Sequence, residues 1–160
     1  MAQRSQAVAL IVVTLLLAGC GRGEKVCAVC HRDECKAMAF RITLESGKTI
    51  ETCCPRCGIH YLETSKQQPR RLEATDFATG RWIEASTATF VSDSDVRGCA
   101  PMEMRRDAQG CCMMKEYDRC LPSLVAFADR AAALGFQNEH GGQLLVYAEI
   151  SAKAVATRSN

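Results

Sequence analysis

Residues 27–57 read CAVCHRDECKAMAFRITLESGKTIETCCPRC, and the parsing of that string decides the fold of the N-terminal half. Two Cys-x-x-Cys turns bound it, Cys27-Ala28-Val29-Cys30 and Cys54-Pro55-Arg56-Cys57. Between them residues 39–44, AFRITL, alternate apolar and polar side chains at the period of a half-buried strand. Glu45-Ser46-Gly47-Lys48 supplies turn residues and 49–52 begins a return strand, which makes a hairpin. Pro55 suits the first turn of a helix that Gly58-Ile59-His60-Tyr61-Leu62-Glu63 continues.

Each Cys-x-x-Cys turn directs two sulfurs toward one point, and the hairpin brings the pairs together, as a tetrahedral zinc site requires. Thiolates equally suit Cu(I), so donor type alone does not choose between Cu(I) and Zn2+ at Cys27, Cys30, Cys54 and Cys57. Cys53 adjoins Cys54 and can replace it, while Cys35 and His60 are spare donors. Two rivals stand beside the metal. Disulfides in an exported module would use the same cysteines. Cys27-Ala28-Val29-Cys30-His31 also matches the attachment motif of haem c. Against haem, a hairpin follows where a small cytochrome would continue helically, and the second Cys-x-x-Cys would have no role.

Working toward the C-terminus, residues 65–71, SKQQPRR, read as a polar linker, 75–80 as a turn and 82–84 as a short strand. The β-branched and aromatic run 87–91 predicts another strand. Pro122 opens a predicted helix through 134, with Leu124, Phe127, Ala128, Ala131 and Leu134 as its buried stripe and Gly135 as its stop. Gly141-Gly142 then turns the chain into a last strand over 143–150, and 151–160 reads as a flexible tail. Strands plus one helix in each half predict an α+β fold, divided into a Cys-rich metal module at 27–68 and a second unit at 72–150.

A second group of soft donors falls in the patternless stretch 92–120: Cys99, Met102, Met104, Cys111, Cys112, Met113, Met114 and Cys120. Thioethers are poor zinc ligands and good Cu(I) ligands, so the methionines favour copper. Packing is the competing use, since methionine fills irregular gaps. No Ser-His-Asp set, paired carboxylates or phosphate-binding glycine loop is evident, and no enzymatic activity is expected. His140, beside Gly141-Gly142, reads as a turn residue.

Toward the N-terminus, residues 7–18 are apolar apart from Thr14, short of the roughly 20 residues needed to cross a bilayer. With Arg4 before them they fit a secretory signal, 1–19. Leu17-Ala18-Gly19-Cys20 resembles a bacterial lipobox. It predicts cleavage before Cys20, acylation of that cysteine with chains such as palmitate, and a lipidated tether at 20–26. The expected location is the periplasmic side of the inner or outer membrane, anchored by lipid. The net charge of +2 over 160 residues gives no argument for nucleic acid, and the lysines and arginines form no stripe. Eleven cysteines leave ten for the fold once Cys20 is lipidated.

Taken together, these features resemble the NosL-type copper lipoproteins, accessory factors for nitrous oxide reductase. The likeness rests on the lipobox, the Cys-x-x-Cys soon after it, and the run Thr75-Asp76-Phe77-Ala78-Thr79-Gly80-Arg81-Trp82-Ile83-Glu84-Ala85. It continues through Ala88-Thr89-Phe90-Val91, Pro101-Met102, Leu124-Val125-Ala126-Phe127, Ala131, Phe136 and Gly141-Gly142. The resemblance implies a small α+β fold, Cu(I) bound through cysteine and methionine, and delivery to a copper-dependent reductase or another copper-trafficking protein. Its matching ligand positions are Cys27, Cys30 and Met102. Where the family usually has Gly-Met after the Cys-x-x-Cys, this chain has His31-Arg32, so the family's first methionine ligand is missing unless Met38 substitutes. Cys53-Cys54-Pro55-Arg56-Cys57-Gly58 is also similar to cysteine-rich modules of the YHS or TRASH type.

Overall fold

The hairpin forms where the alternation placed it, with β1 (Phe40–Leu44) antiparallel to β2 (Thr49–Thr52). Phe40, Ile42 and Leu44 point to the core and Arg41 and Thr43 away from it, as the two-residue pleat dictates. Gly47, at φ 82, closes the turn and donates its N–H to Leu44 O at 2.9 Å. Helix α1 (Pro55–Ser65) starts at Pro55 and stops where Lys66 turns left-handed and its N–H bonds Leu62 O at 3.1 Å. The computed structural model describes residues 26–32, 36–96 and 120–156. The signal segment, Cys20, Cys35, Cys99, Met102, Met104, Cys111, Cys112, Met113 and Met114 lie outside them.

Residues 65–71 are not simply a linker. From Pro69 onward they belong to β3 (Pro69–Thr75), which pairs antiparallel with β1. Proline is tolerated there because it is the first residue of the strand. β4 (Trp82–Glu84) adds the fourth strand, and the order is β2-β1-β3-β4. The first sheet therefore runs past residue 68 into the stretch assigned to the second unit. Its outer face carries an ion ladder, Arg41–Glu51 at 3.0 Å and Arg71–Glu73 at 3.2 Å, with Arg41 stacked 3.9 Å over Trp82. These pairs are partly buried, so the cost of desolvating the charges offsets much of their attraction. Burying one large apolar side chain contributes about 1.5–3 kcal/mol, so the inner face holds the sheet.

The second sheet has the order β6-β5-β7, all antiparallel: β5 (Thr89–Ser92), β6 (Leu124–Phe127) and β7 (Gln143–Val146). The helix expected over 122–134 is corrected. Its apolar start, LVAF, is strand β6, buried at every position. Leu124 and Ala126 enter a core shared with Phe40, Ile42, Phe90 and Leu145, while Val125 and Phe127 enter a second core with Val91, Ala133 and Phe136. A strand covered on both faces loses its alternation and imitates a helix stripe. The helix α2 is Arg130–His140 instead, capped by Asp129, whose carboxylate accepts from Ala131 N and Ala132 N at 3.2 and 3.3 Å. It runs through Gly135 and ends at Gly141, and Leu134, placed on the buried stripe, is exposed.

The last strand is shorter than expected. After Val146 the chain forms helix α3 (Tyr147–Ala156), begun where Glu149 accepts the Val146 N–H at 2.8 Å. Tyr147 and Ile150, three apart, return to the first core beside Phe90, so residues through 156 are helix and not tail. The sheets join at Asp76, which is 3% exposed. Phe77 N–H donates to Ala126 O at 2.8 Å, Ala128 N–H to Asp76 Oδ1 at 3.1 Å and Thr79 Oγ1 to Asp76 Oδ2 at 2.6 Å. Three α-helices, a short 3-10 helix (Lys36–Met38) and seven strands among the described residues make an α+β fold.

Candidate metal centre

The N-terminal knuckle is a tight reversal. Cys27 N–H donates to Arg32 O at 2.8 Å, its carbonyl accepts from His31 N–H at 3.1 Å, and His31 takes φ 58 to complete the bend. Within it Val29 N–H donates to Cys27 Sγ at 3.4 Å, a bond that favours the thiolate. The second pair of donors lies between β2 and α1. Thr52 Oγ1 is placed to donate to Phe40 O at 3.3 Å and Cys54 O at 3.1 Å, which fixes the bend at Cys53-Cys54. Cys54 precedes α1 in extended conformation, φ −159, and its side chain makes no cap, while Cys57 lies within the first turn of the helix.

The third contribution comes from far along the chain. Arg56 Nε donates to Pro122 O at 2.8 Å. Ser94 N–H donates to Ser123 Oγ at 2.9 Å, and Ser123 Oγ in turn bonds Ser94 O at 3.0 Å. These bonds seat the chain just after Cys120 against the start of α1 and the end of β5. Cys120 thereby meets the N-terminal thiols, although the sequence had grouped it with Cys99, Cys111 and Cys112.

The sulfurs converge. Sγ–Sγ separations are 3.4 Å for Cys30–Cys53, 3.6 Å for Cys53–Cys120, 3.7 Å for Cys53–Cys57 and 3.8 Å for Cys57–Cys120. Cys53–Cys54 and Cys30–Cys120 are each 3.9 Å apart. An ion with metal–sulfur bonds of about 2.3 Å sets tetrahedral ligand sulfurs about 3.8 Å from one another. None of the six is in a disulfide. Two overlapping four-thiol sets could each hold an ion: Cys27, Cys30, Cys53 and Cys57, and Cys53, Cys54, Cys57 and Cys120. The first uses Cys53 where the spacing had favoured Cys54. Neither includes His60, and His140 instead ends α2 with Nδ1 3.0 Å from Asp95 Oδ1. Met38 is buried in the same apolar cluster as the cysteines.

Burial and mutual hydrogen bonding set the protonation. Five of the six cysteines are buried, and Cys30 alone is partly open to solvent. Hydrogen bonding with Cys53, and then with Cys57, holds the Cys27 thiol far below its ordinary range. Desolvation pushes Cys30 up to about 11. Cys53 and Cys57 are raised as well, first through their hydrogen bonds with Cys120. Without a cation the pocket favours one thiolate among protonated neighbours, and a soft cation would displace the protons.

No protein-family description matches the sequence, and no curated protein does. Among solved structures, the crystal structure of the copper chaperone NosL from Shewanella denitrificans aligns with a TM-score of 0.55 at 17% identity, over 78% of this chain and 88% of that one. The chain has a NosL-like fold. The resemblance read from residues 75–91 and 124–147 thus agrees with the architecture. Within the NosL-like fold the six cysteines lie where the first sheet, α1 and the start of β6 meet, beside the core that β5, β6 and α2 enclose.

Proposed function

We propose that the protein is a Cu(I) chaperone or sequestration factor that holds its cargo on buried thiolates and passes it on by ligand exchange. The observation carrying this reading is the convergence of five cysteine sulfurs at separations of 3.4–3.9 Å, with Cys27 completing the first set within 4.8 Å, in a NosL-like fold. Each protonated thiol gives its proton to water as its sulfur–metal bond forms, and the copper stays Cu(I) throughout. Cys30, the least buried donor, is where an incoming acceptor's ligand can first enter. The methionines at 102, 104, 113 and 114 supply weaker thioether donors suited to transfer. A copper-dependent reductase, nitrous oxide reductase foremost, is the client in this reading, and the chain acts from the periplasmic face of a membrane through a lipid on Cys20.

Structural zinc is the competing reading, because the same spacing suits a tetrahedral Zn2+ site. Cu(I) titration of the anaerobic, reduced protein against a competing chelator separates the two. The wild type should retain Cu(I). Changing Met102, Met104, Met113 and Met114 to leucine should weaken Cu(I) by about tenfold and leave bound zinc unchanged, since Met-to-Leu swaps roughly conserve volume. Failure of the wild type to compete for Cu(I), with zinc retained, overturns the copper assignment. Equal Cu(I) affinity in the two proteins makes the methionines packing residues.

The anchor has its own test. Cys20→Ser should abolish acylation and move the protein from the membrane to the soluble fraction. Undiminished membrane retention overturns the lipoprotein assignment.

A further inference from the structure

The two four-thiol sets share an edge. Cys53 and Cys57, with sulfurs 3.7 Å apart, belong to both. Cys27 and Cys30 complete one set, and Cys54 and Cys120 complete the other. A single tetrahedral ion has four corners and cannot engage six donors. Were it seated in the first set, Cys54 and Cys120 would remain beside it, both buried, with Cys120 only 3.9 Å from the ligand Cys30. A thiolate keeps lone pairs after one metal bond, so Cys53 and Cys57 can each bind a second ion.

Two ions sharing Cys53 and Cys57 would use all six sulfurs, three per ion, where a single tetrahedral ion uses four. We propose that the protein carries its metal as a cluster of at least two Cu(I) ions, with the Cys53 and Cys57 thiolates bridging them. The inference rests on the copper reading above. Cys27 enters as the thiolate, each of the other five S–H bonds breaks with its proton going to solvent, and no electron is transferred. A cluster loads cooperatively, because the bridges placed by the first ion form half the ligand set of the second.

Donors at 99–114 would confuse a copper count. The experiment therefore uses the full chain with Cys35, Cys99, Cys111 and Cys112 changed to serine and Met102, Met104, Met113 and Met114 to leucine, its folding checked by circular dichroism. The reduced protein is loaded anaerobically with Cu(I), desalted against a weak chelator, and read by native mass spectrometry and copper X-ray absorption. Two or more Cu(I) per chain with a copper–copper scattering shell is the expected result. The added double change Cys54→Ser and Cys120→Ser should leave one Cu(I) on the intact first set and abolish that shell. One Cu(I) per parent chain, or two surviving in the double variant, overturns the cluster and leaves the copper reading standing. No Cu(I) in the parent overturns the copper reading itself.

Discussion

Changing Cys54 and Cys57 together to serine removes the metal-dependent part of the protein's stability. Cys57 belongs to both thiol sets and Cys54 completes the second, so neither set retains its four donors. Because binding to the folded chain is linked to folding, metal at a thousandfold excess over its dissociation constant stabilises the wild type by about 4 kcal/mol. For a chain of this size that is a rise in melting temperature on the order of 10 °C. The double variant should show little or none. The comparison is made within each protein, with and without metal, so any cost of burying two hydroxyls cancels. The effect should also grow with pH. Cys30, Cys53 and Cys57 have raised affinities for protons in the metal-free fold, so acid favours protons over metal. A melting shift equal in the two proteins would show that these thiols hold no stabilising ion.

Gly58→Ala should destabilise the fold by about 1–3 kcal/mol although it adds one methyl group. A Cβ at Gly58 would overlap Cδ1 of the fully buried Phe40 ring and sit 2.8 Å from its Cε1. Phe40 is held by β2 and β3 on either side and has little room to yield, so α1 must lift. Cys57 is the preceding residue, and metal affinity should fall together with stability. Phe40→Leu in the same chain makes room and should recover part of both losses. Wild-type denaturation midpoints for Gly58→Ala would mean that the helix is not seated on this ring.

The hairpin and the start of α1 were legible because their signals are local. Alternation over 40–44, turn residues at 45–48 and a proline at 55 each act within a few residues. Strand β6 was not, because burial on both faces erased the alternation that marks a strand. Helix α3 was missed for a related reason: its start depends on the carboxylate of Glu149 reaching back to Val146, and its apolar residues look equally suited to a strand. At the metal centre the two Cys-x-x-Cys turns were readable from spacing. Spacing left Cys53 open as a replacement for Cys54 in the first set without deciding between them, since neighbouring residues differ only in direction. Cys120 carried no usable signal at all. Its place depends on Arg56 bonding Pro122 and on Ser94 bonding Ser123, contacts between residues 66 and 29 positions apart.

That distant origin of Cys120 would make an ion held there a cross-link in the polymer. Joined to Cys57, it would tie residues 63 positions apart into one ring. A ring of that length removes about 4 kcal/mol of chain entropy from any unfolded state in which the link survives. Loaded and stripped protein would then differ in how far the unfolded chain can expand, and handing over the cargo also opens the ring.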